Sequence, residues 1–179
     1  RQMCIRDRYN SVLQSRSYSY VQAGRLLEAK KILNDLLALY AHPVSGDSAI
    51  AAELLIVTGN AEAQLGELDA AEAHVNQGVG IIRKIYNGNS YLIFTANEVL
   101  GMVYFKRGDN NKSIAAYSDA IENAIKYFGI ESRQEASLLS NLGITYQTIG
   151  NYAAAEVVLR KSLLIRKKIL GDEHPEYAI

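Results

Sequence analysis

Residues 142–163 read LGITYQTIGNYAAAEVVLRKSL, two apolar-periodic stretches parted by Gly150, and the same arrangement occurs three more times in the chain. Gly24, Gly66, Gly108 and Gly150 are spaced by 42 residues each time, in the contexts QAGR, QLGE, KRGD and TIGN. Each glycine stands where one helix must stop and the next must start, and glycine takes the left-handed conformation of such a stop at low cost. A fixed period of this length signals a repeat architecture, in which each unit contacts only its neighbours.

Other columns keep the phase. Five residues after the glycines stand Ala29, Ala71, Ser113 and Ala155, all small, as expected where two helices approach closely. Nine after come Leu33, Val75, Tyr117 and Leu159, and thirteen after come Leu37, Val79, Ile121 and Leu163, which we read as the buried stripe of the second helix. Four before the glycines recur Tyr20, Tyr104 and Tyr146, with Glu62 the exception; seven before recur Gly59, Gly101 and Gly143, with Ser17 the exception.

The spacing predicts first helices near 9–22, 48–64, 90–106 and 132–148, and second helices near 25–40, 67–86, 109–128 and 151–170. Connectors hold Pro43, Asn87-Gly88, Gly129 and the stretch Gly171 to Pro175, all helix stops or turn formers. The expected fold is all-α: a right-handed superhelix, or α-solenoid, of antiparallel helix pairs without any sheet. Units of approximately 9–47, 48–89, 90–131 and 132–173 precede a partial fifth from 174. Residues 1–8, RQMCIRDR, match nothing in the repeats and are read as a non-native leader.

The stretch 138–178, LLSNLGITYQTIGNYAAAEVVLRKSLLIRKKILGDEHPEYA, resembles the tetratricopeptide repeat family, whose pattern is matched by Leu142, Gly143, Tyr146, Gly150, Tyr152, Ala155 and Leu159. Its closing LGDEHPEYA and the 42-residue period, in place of the usual ~34, are similar to the kinesin-light-chain subclass, in which the second helix and connector are longer. The resemblance spans roughly residues 10–179. In the first unit Arg16 and Ser17 replace Leu-Gly, and in the second Thr58 precedes Gly59 where leucine is expected.

Composition narrows the function. Lysine plus arginine equals aspartate plus glutamate at 19 each, so the formal net charge is zero and no basic excess is available for nucleic acid or anionic lipid. No run of apolar residues is long enough to span a bilayer, so no membrane partner is expected. The single Cys4 cannot form an internal disulfide, which leaves a cytoplasmic setting as the default.

Catalytic and metal-binding patterns are absent. His42, His74 and His174 form no H-E-x-x-H pair and are read as structural or solvated. Asp172, Glu173 and His174 before Pro175 suit the start of a fifth helix better than acid–base chemistry. Gly78 and Gly80 belong to no phosphate-loop motif and are read as packing residues. The glycosylation-like Asn111-Lys112-Ser113 is read as chance, because Ser113 lies in the small column. The basic residues Arg160, Lys161, Arg166, Lys167 and Lys168 are read as a solvated helix face. Tyrosines number 12 against 3 phenylalanines, and several fall in interior columns, which argues for packing over base stacking. No cofactor, metal or enzymatic activity is expected.

The resemblance implies a non-catalytic protein–protein interaction scaffold whose concave groove binds a peptide or partner segment. A second reading makes the chain the repeat segment of a larger bacterial signalling or protease protein, joined to a caspase-like peptidase or a nucleotide-driven switch. In the family, ligand contacts come from inward first-helix positions. That register falls here on Gln14, Tyr18, Val21, Ile56, Asn60, Ala63, Glu98, Met102, Phe105, Asn141, Ile144 and Gln147. Asn141 matches the family's ligand-facing asparagine; its amide can donate to a peptide carbonyl and accept from a peptide N–H. The lysine-rich clamp by which some relatives grip a terminal carboxylate is not matched, its expected positions including Gln14, Tyr18, Val57, Thr95 and Val99. A sequence ending on Tyr177 and Ile179 leaves helix 151–170 without its next neighbour, which points to self-association there.

Overall fold

A computed structural model describes residues 12–13, 15–40, 49–87 and 90–170, and among them every regular element is a helix. They are α1 (15–22), α2 (Leu26–Tyr40), α3 (Ala49–Leu65), α4 (Leu68–Tyr86), α5 (Leu92–Arg107), α6 (Asn110–Phe128), α7 (Arg133–Thr148) and α8 (Tyr152–Leu170). The chain divides into two compact units, residues 1–92 and 93–179, each described by itself. Cys4, His42, Pro43, Gly88, the stretch 171–179 and its expected fifth helix lie outside the described residues.

The four phased glycines make the same turn. Their φ angles are 72°, 87°, 80° and 75°, left-handed in every case. In the last turn Gly150 N–H donates to the Gln147 carbonyl at 3.0 Å and Asn151 N–H to the Tyr146 carbonyl at 2.9 Å, and the other three turns repeat both bonds. This pairing satisfies carbonyls that the ending helix would otherwise leave orphaned. The second helix opens at once: Ala29, Ala71, Ser113 and Ala155 donate to the carbonyls of Arg25, Glu67, Asp109 and Asn151.

In the second, third and fourth hairpins the glycine seven before the turn faces the residue nine after it. A Cβ added at Gly59 would lie 2.5 Å from Val75 Cγ2, at Gly101 2.7 Å from the Tyr117 ring, and at Gly143 2.5 Å from Leu159 Cγ. These glycines let a large side chain rest on the backbone of the partner helix. The columns five and nine after the turn are buried as expected, save Leu159, which is half-buried. The column thirteen after is not: Leu37, Val79 and Ile121 are half-buried and Leu163 is exposed. Its place is taken by the column twelve after, where Leu36, Gly78, Ala120 and Ser162 are all buried. The reason is angular: steps of four residues drift by about 40° each, whereas steps of four and three return to the same face.

In the first unit Val21, Ala29, Leu33, Leu36, Leu54, Val57 and Ala61 form one core across α1, α2 and α3. α3 packs against α4 through Gly78, where a Cβ would lie 2.9 Å from the Ala52 carbonyl. Gly80, by contrast, has nothing within 4 Å of its would-be Cβ, so it is no packing residue. In the second unit Phe94, Tyr117, Ala120, Ala124, Leu138 and Leu142 join α5, α6 and α7, and Ala136, Leu139 and Ile165 join α7 to α8. α7 is capped by Ser132, whose hydroxyl accepts from Glu135 N–H at 3.3 Å, while the Glu135 carboxylate accepts from Glu131 N–H at 2.7 Å.

Candidate functional site

The first-helix positions named from the sequence divide sharply once burial is known. Gln14 lies outside the described residues. Val21, Ile56 and Ala63 are buried and offer no ligand surface, a correction to the sequence reading. Ile56 lies in the α3/α4 seam, where a Cβ at Gly78 would come within 3.0 Å of Ile56 Cγ1. Tyr18 is half-buried, but its hydroxyl donates to Glu53 Oε1 at 2.6 Å. Tyr91 also bonds the Glu53 carboxylate; burial first, and then that negative charge, raise its pKa. Asn60 is half-buried and accepts from Gln64 Nε2 at 3.1 Å. In the first unit, then, several polar groups of these first helices are engaged within the chain.

The second unit differs. Glu98, Met102 and Phe105 follow one another at helical spacing along α5 and are all half-buried; on α7 Asn141 is half-buried and Ile144 and Gln147 are exposed. The two helices are tied together through α6. Ser113 Oγ donates to the Gly101 carbonyl at 2.9 Å and meets Thr145 Oγ1 at 3.4 Å, and Thr145 Oγ1 donates to the Asn141 carbonyl at 3.0 Å. With both hydroxyl protons donated to carbonyls, Ser113 and Thr145 are in contact rather than bonded, and that contact sets Gly101, next to Met102, near Thr145, next to Ile144. The side-chain amides of Asn141 and Gln147 make no hydrogen bond to any described residue. Burial raises the pKa of Glu98, and burial together with the charge of Glu98 pushes the Tyr117 hydroxyl up as well.

Two polar clusters escaped the sequence reading. Glu62, the exception in the tyrosine column, is only 2% exposed and lies 2.7 Å from His74 Nδ1 and 3.5 Å from Lys30 Nζ, which also bonds Glu67. His74 is therefore structural, and a charge in an interior column was the signal that it needed partners. The basic residues of α8 stay on an exposed helix face as expected, save the half-buried Arg166, but three of them find acidic partners: Lys161 pairs with the buried Glu135 at 2.6 Å, Lys168 with Glu131 and Arg160 with Glu156 at 2.8 Å. Among the described residues no group of three or more His, Cys, Asp or Glu is placed to hold a metal ion, and no helix is long and apolar enough to cross a membrane.

The family model described as Tetratricopeptide repeat matches residues 92–168. Among solved structures, the chain is similar to BtubC (BKLC) from P. vanneervenii, with a TM-score of 0.76 and 18% identity, over 93% of this chain and 66% of that one. It is also similar to the nearly identical TPR-like repeats of a Podosopora anserina protein described as a kinesin light chain, with a TM-score of 0.65 and 16% identity, over 91% and 77% of the two chains. The MamA protein follows with a TM-score of 0.60 and 20% identity, over 92% and 77%. At these identities the likeness is one of fold. The chain thus spans just under two thirds of the length of the first of these structures. No curated protein matches the sequence.

Proposed function

We propose that the chain, whose residues 92–168 match the tetratricopeptide repeat family, is a non-catalytic scaffold that holds an extended peptide segment of a partner protein against α5 and α7. Repeats of this family generally mediate protein–protein interaction. The observation that carries the narrower reading is the contrast between the two units. On α7 the Asn141 and Gln147 amides have no partner among the described residues, whereas Tyr18 and Asn60 in the first unit are bonded internally. An amide with both donor and acceptor to offer can hold a peptide backbone without reading its side chains. Met102 and Phe105 add a polarizable, adaptable apolar surface beside it.

The test is a peptide-display selection against the chain, followed by titration of the selected peptide into Asn141→Ala and Phe105→Ala variants shown to be folded. Phe105→Ala should weaken binding by about tenfold, as loss of an aromatic anchor does. Asn141→Ala should weaken it by several-fold, as loss of one net hydrogen bond does. Parent affinity in both variants would refute the assignment of this face.

A further inference from the structure

Among the described residues, carboxylates in partly or wholly buried positions are given partners, with one exception. Glu62 has His74 and Lys30, Glu135 has Lys161 and the Glu131 N–H, Glu53 has Tyr18, and Asp109 has Lys112. Glu72 is also engaged. Glu98 departs from this rule. It is half-buried on α5, and no hydrogen bond or ion pair joins it to any described residue. Desolvation acts on it without a compensating contact. Removing a carboxylate from water and leaving it unpaired is costly. An aliphatic residue would fill the site without that cost, as Ile56 does at the same register position, 42 residues earlier.

The unpaired carboxylate is not isolated from the proposed binding face. Glu98 precedes Met102 by one turn and Phe105 by two, so the three share one side of α5. Ser113 of α6 touches both first helices, its hydroxyl donating to the Gly101 carbonyl of α5 at 2.9 Å and lying 3.4 Å from Thr145 Oγ1 of α7. Resting on the reading of this face as a peptide site, we infer that its ligand is a peptide carrying a lysine or arginine whose cation pairs with Glu98, beside a large apolar side chain seated on Met102 and Phe105. Charge complementarity selects this occupant: the face offers one unpaired carboxylate among apolar and amide groups. The spacing follows as well. Phe105 lies seven positions after Glu98 on the helix, an axial distance of about 10 Å, which extended chain covers in about three residues. The basic and apolar residues of the ligand therefore stand about three positions apart.

Fluorescence polarisation with four labelled nonapeptide pools tests this. Each pool fixes phenylalanine, places lysine, arginine, glutamine or glutamate three residues away, and randomises the rest. The lysine and arginine pools should bind about tenfold or more tighter than the glutamine pool, in keeping with a charge-assisted contact. Glu98→Gln should erase that preference, and Glu98→Lys should shift preference to the glutamate pool. Circular dichroism melts should show Glu98→Gln folded and at least as stable as the parent. Equal binding of the lysine and glutamine pools to the parent overturns the inference. If those equal affinities still fall in Phe105→Ala and Asn141→Ala, the peptide face stands without its cation pocket. If no pool binds at up to about 1 mM, the cation pocket and the peptide face fall together.

Discussion

Replacing Gly143 by alanine puts the closest helix approach of the last hairpin to a direct test. The new Cβ would lie 2.5 Å from Leu159 Cγ and 2.6 Å from Cδ2, whereas carbon pairs rest at about 3.5–4.0 Å. Leu159 must leave its rotamer or α7 and α8 must part by about 1 Å. Overpacking of this kind costs about 1–3 kcal/mol, and alanine returns about 1 kcal/mol of helix propensity over glycine, so the net destabilisation is about 1 kcal/mol. Both close atoms belong to Leu159. In a Leu159→Ala background the clash disappears and the propensity gain remains, so the same substitution should stabilise by up to about 1 kcal/mol. Gly80→Ala is the control, since nothing lies within 4 Å of its Cβ position; it should raise the melting temperature by about 2–4 °C. Far-UV circular dichroism melts of the four variants and the parent decide the matter. If Gly143→Ala raises the melting temperature in the parent background as Gly80→Ala does, the argument for close approach is wrong.

Gly150→Ala forces a side chain into a backbone at φ 75° and should cost about 1–2 kcal/mol in a urea titration. Lys30→Met strips the buried Glu62 of one cation and should destabilise by about 2 kcal/mol, measured the same way. The pH dependence of Glu98→Gln has a definite sign. Because burial raises the folded-state pKa of Glu98 above its ordinary 4.5, the folded parent binds a proton before the unfolded chain does, and it gains stability as pH falls through that window. Glu98→Gln should therefore melt higher than the parent at pH 7, and the gap should close as pH is lowered toward 4. A gap that widens on acidification would contradict the desolvation argument.

The turns were legible in the sequence because each needs a glycine at φ above zero, and four in phase leave little else to explain. Helix limits followed within a residue or two for the seven helices from α2 to α8. The small column five after the turn was legible too, because residue size reports helix separation. What the sequence did not yield was angular and relational. A stripe extrapolated in steps of four put Leu163 inside, where the helix turns it outward and buries Ser162 instead. The first-helix register named twelve groove positions, but it could not distinguish a residue facing a groove from one facing a seam. Ile56 fell in the seam because Gly78 opens space for it. Nor does a register tell which polar groups find partners: Tyr18 is bonded to Glu53, 35 residues away, and Glu98 is bonded to nothing described. Those differences depend on pairs distant in sequence, and they separate the two units as candidate binding surfaces.

The most direct test of the central claim is an amide chemical-shift map of the chain titrated with the peptide that display selects. The account predicts the largest changes at residues 98–105 of α5 and 141–147 of α7, with the side-chain amide of Asn141 among them. Changes concentrated instead on the exposed residues of α6 and α8, with α5 and α7 unmoved, would contradict it.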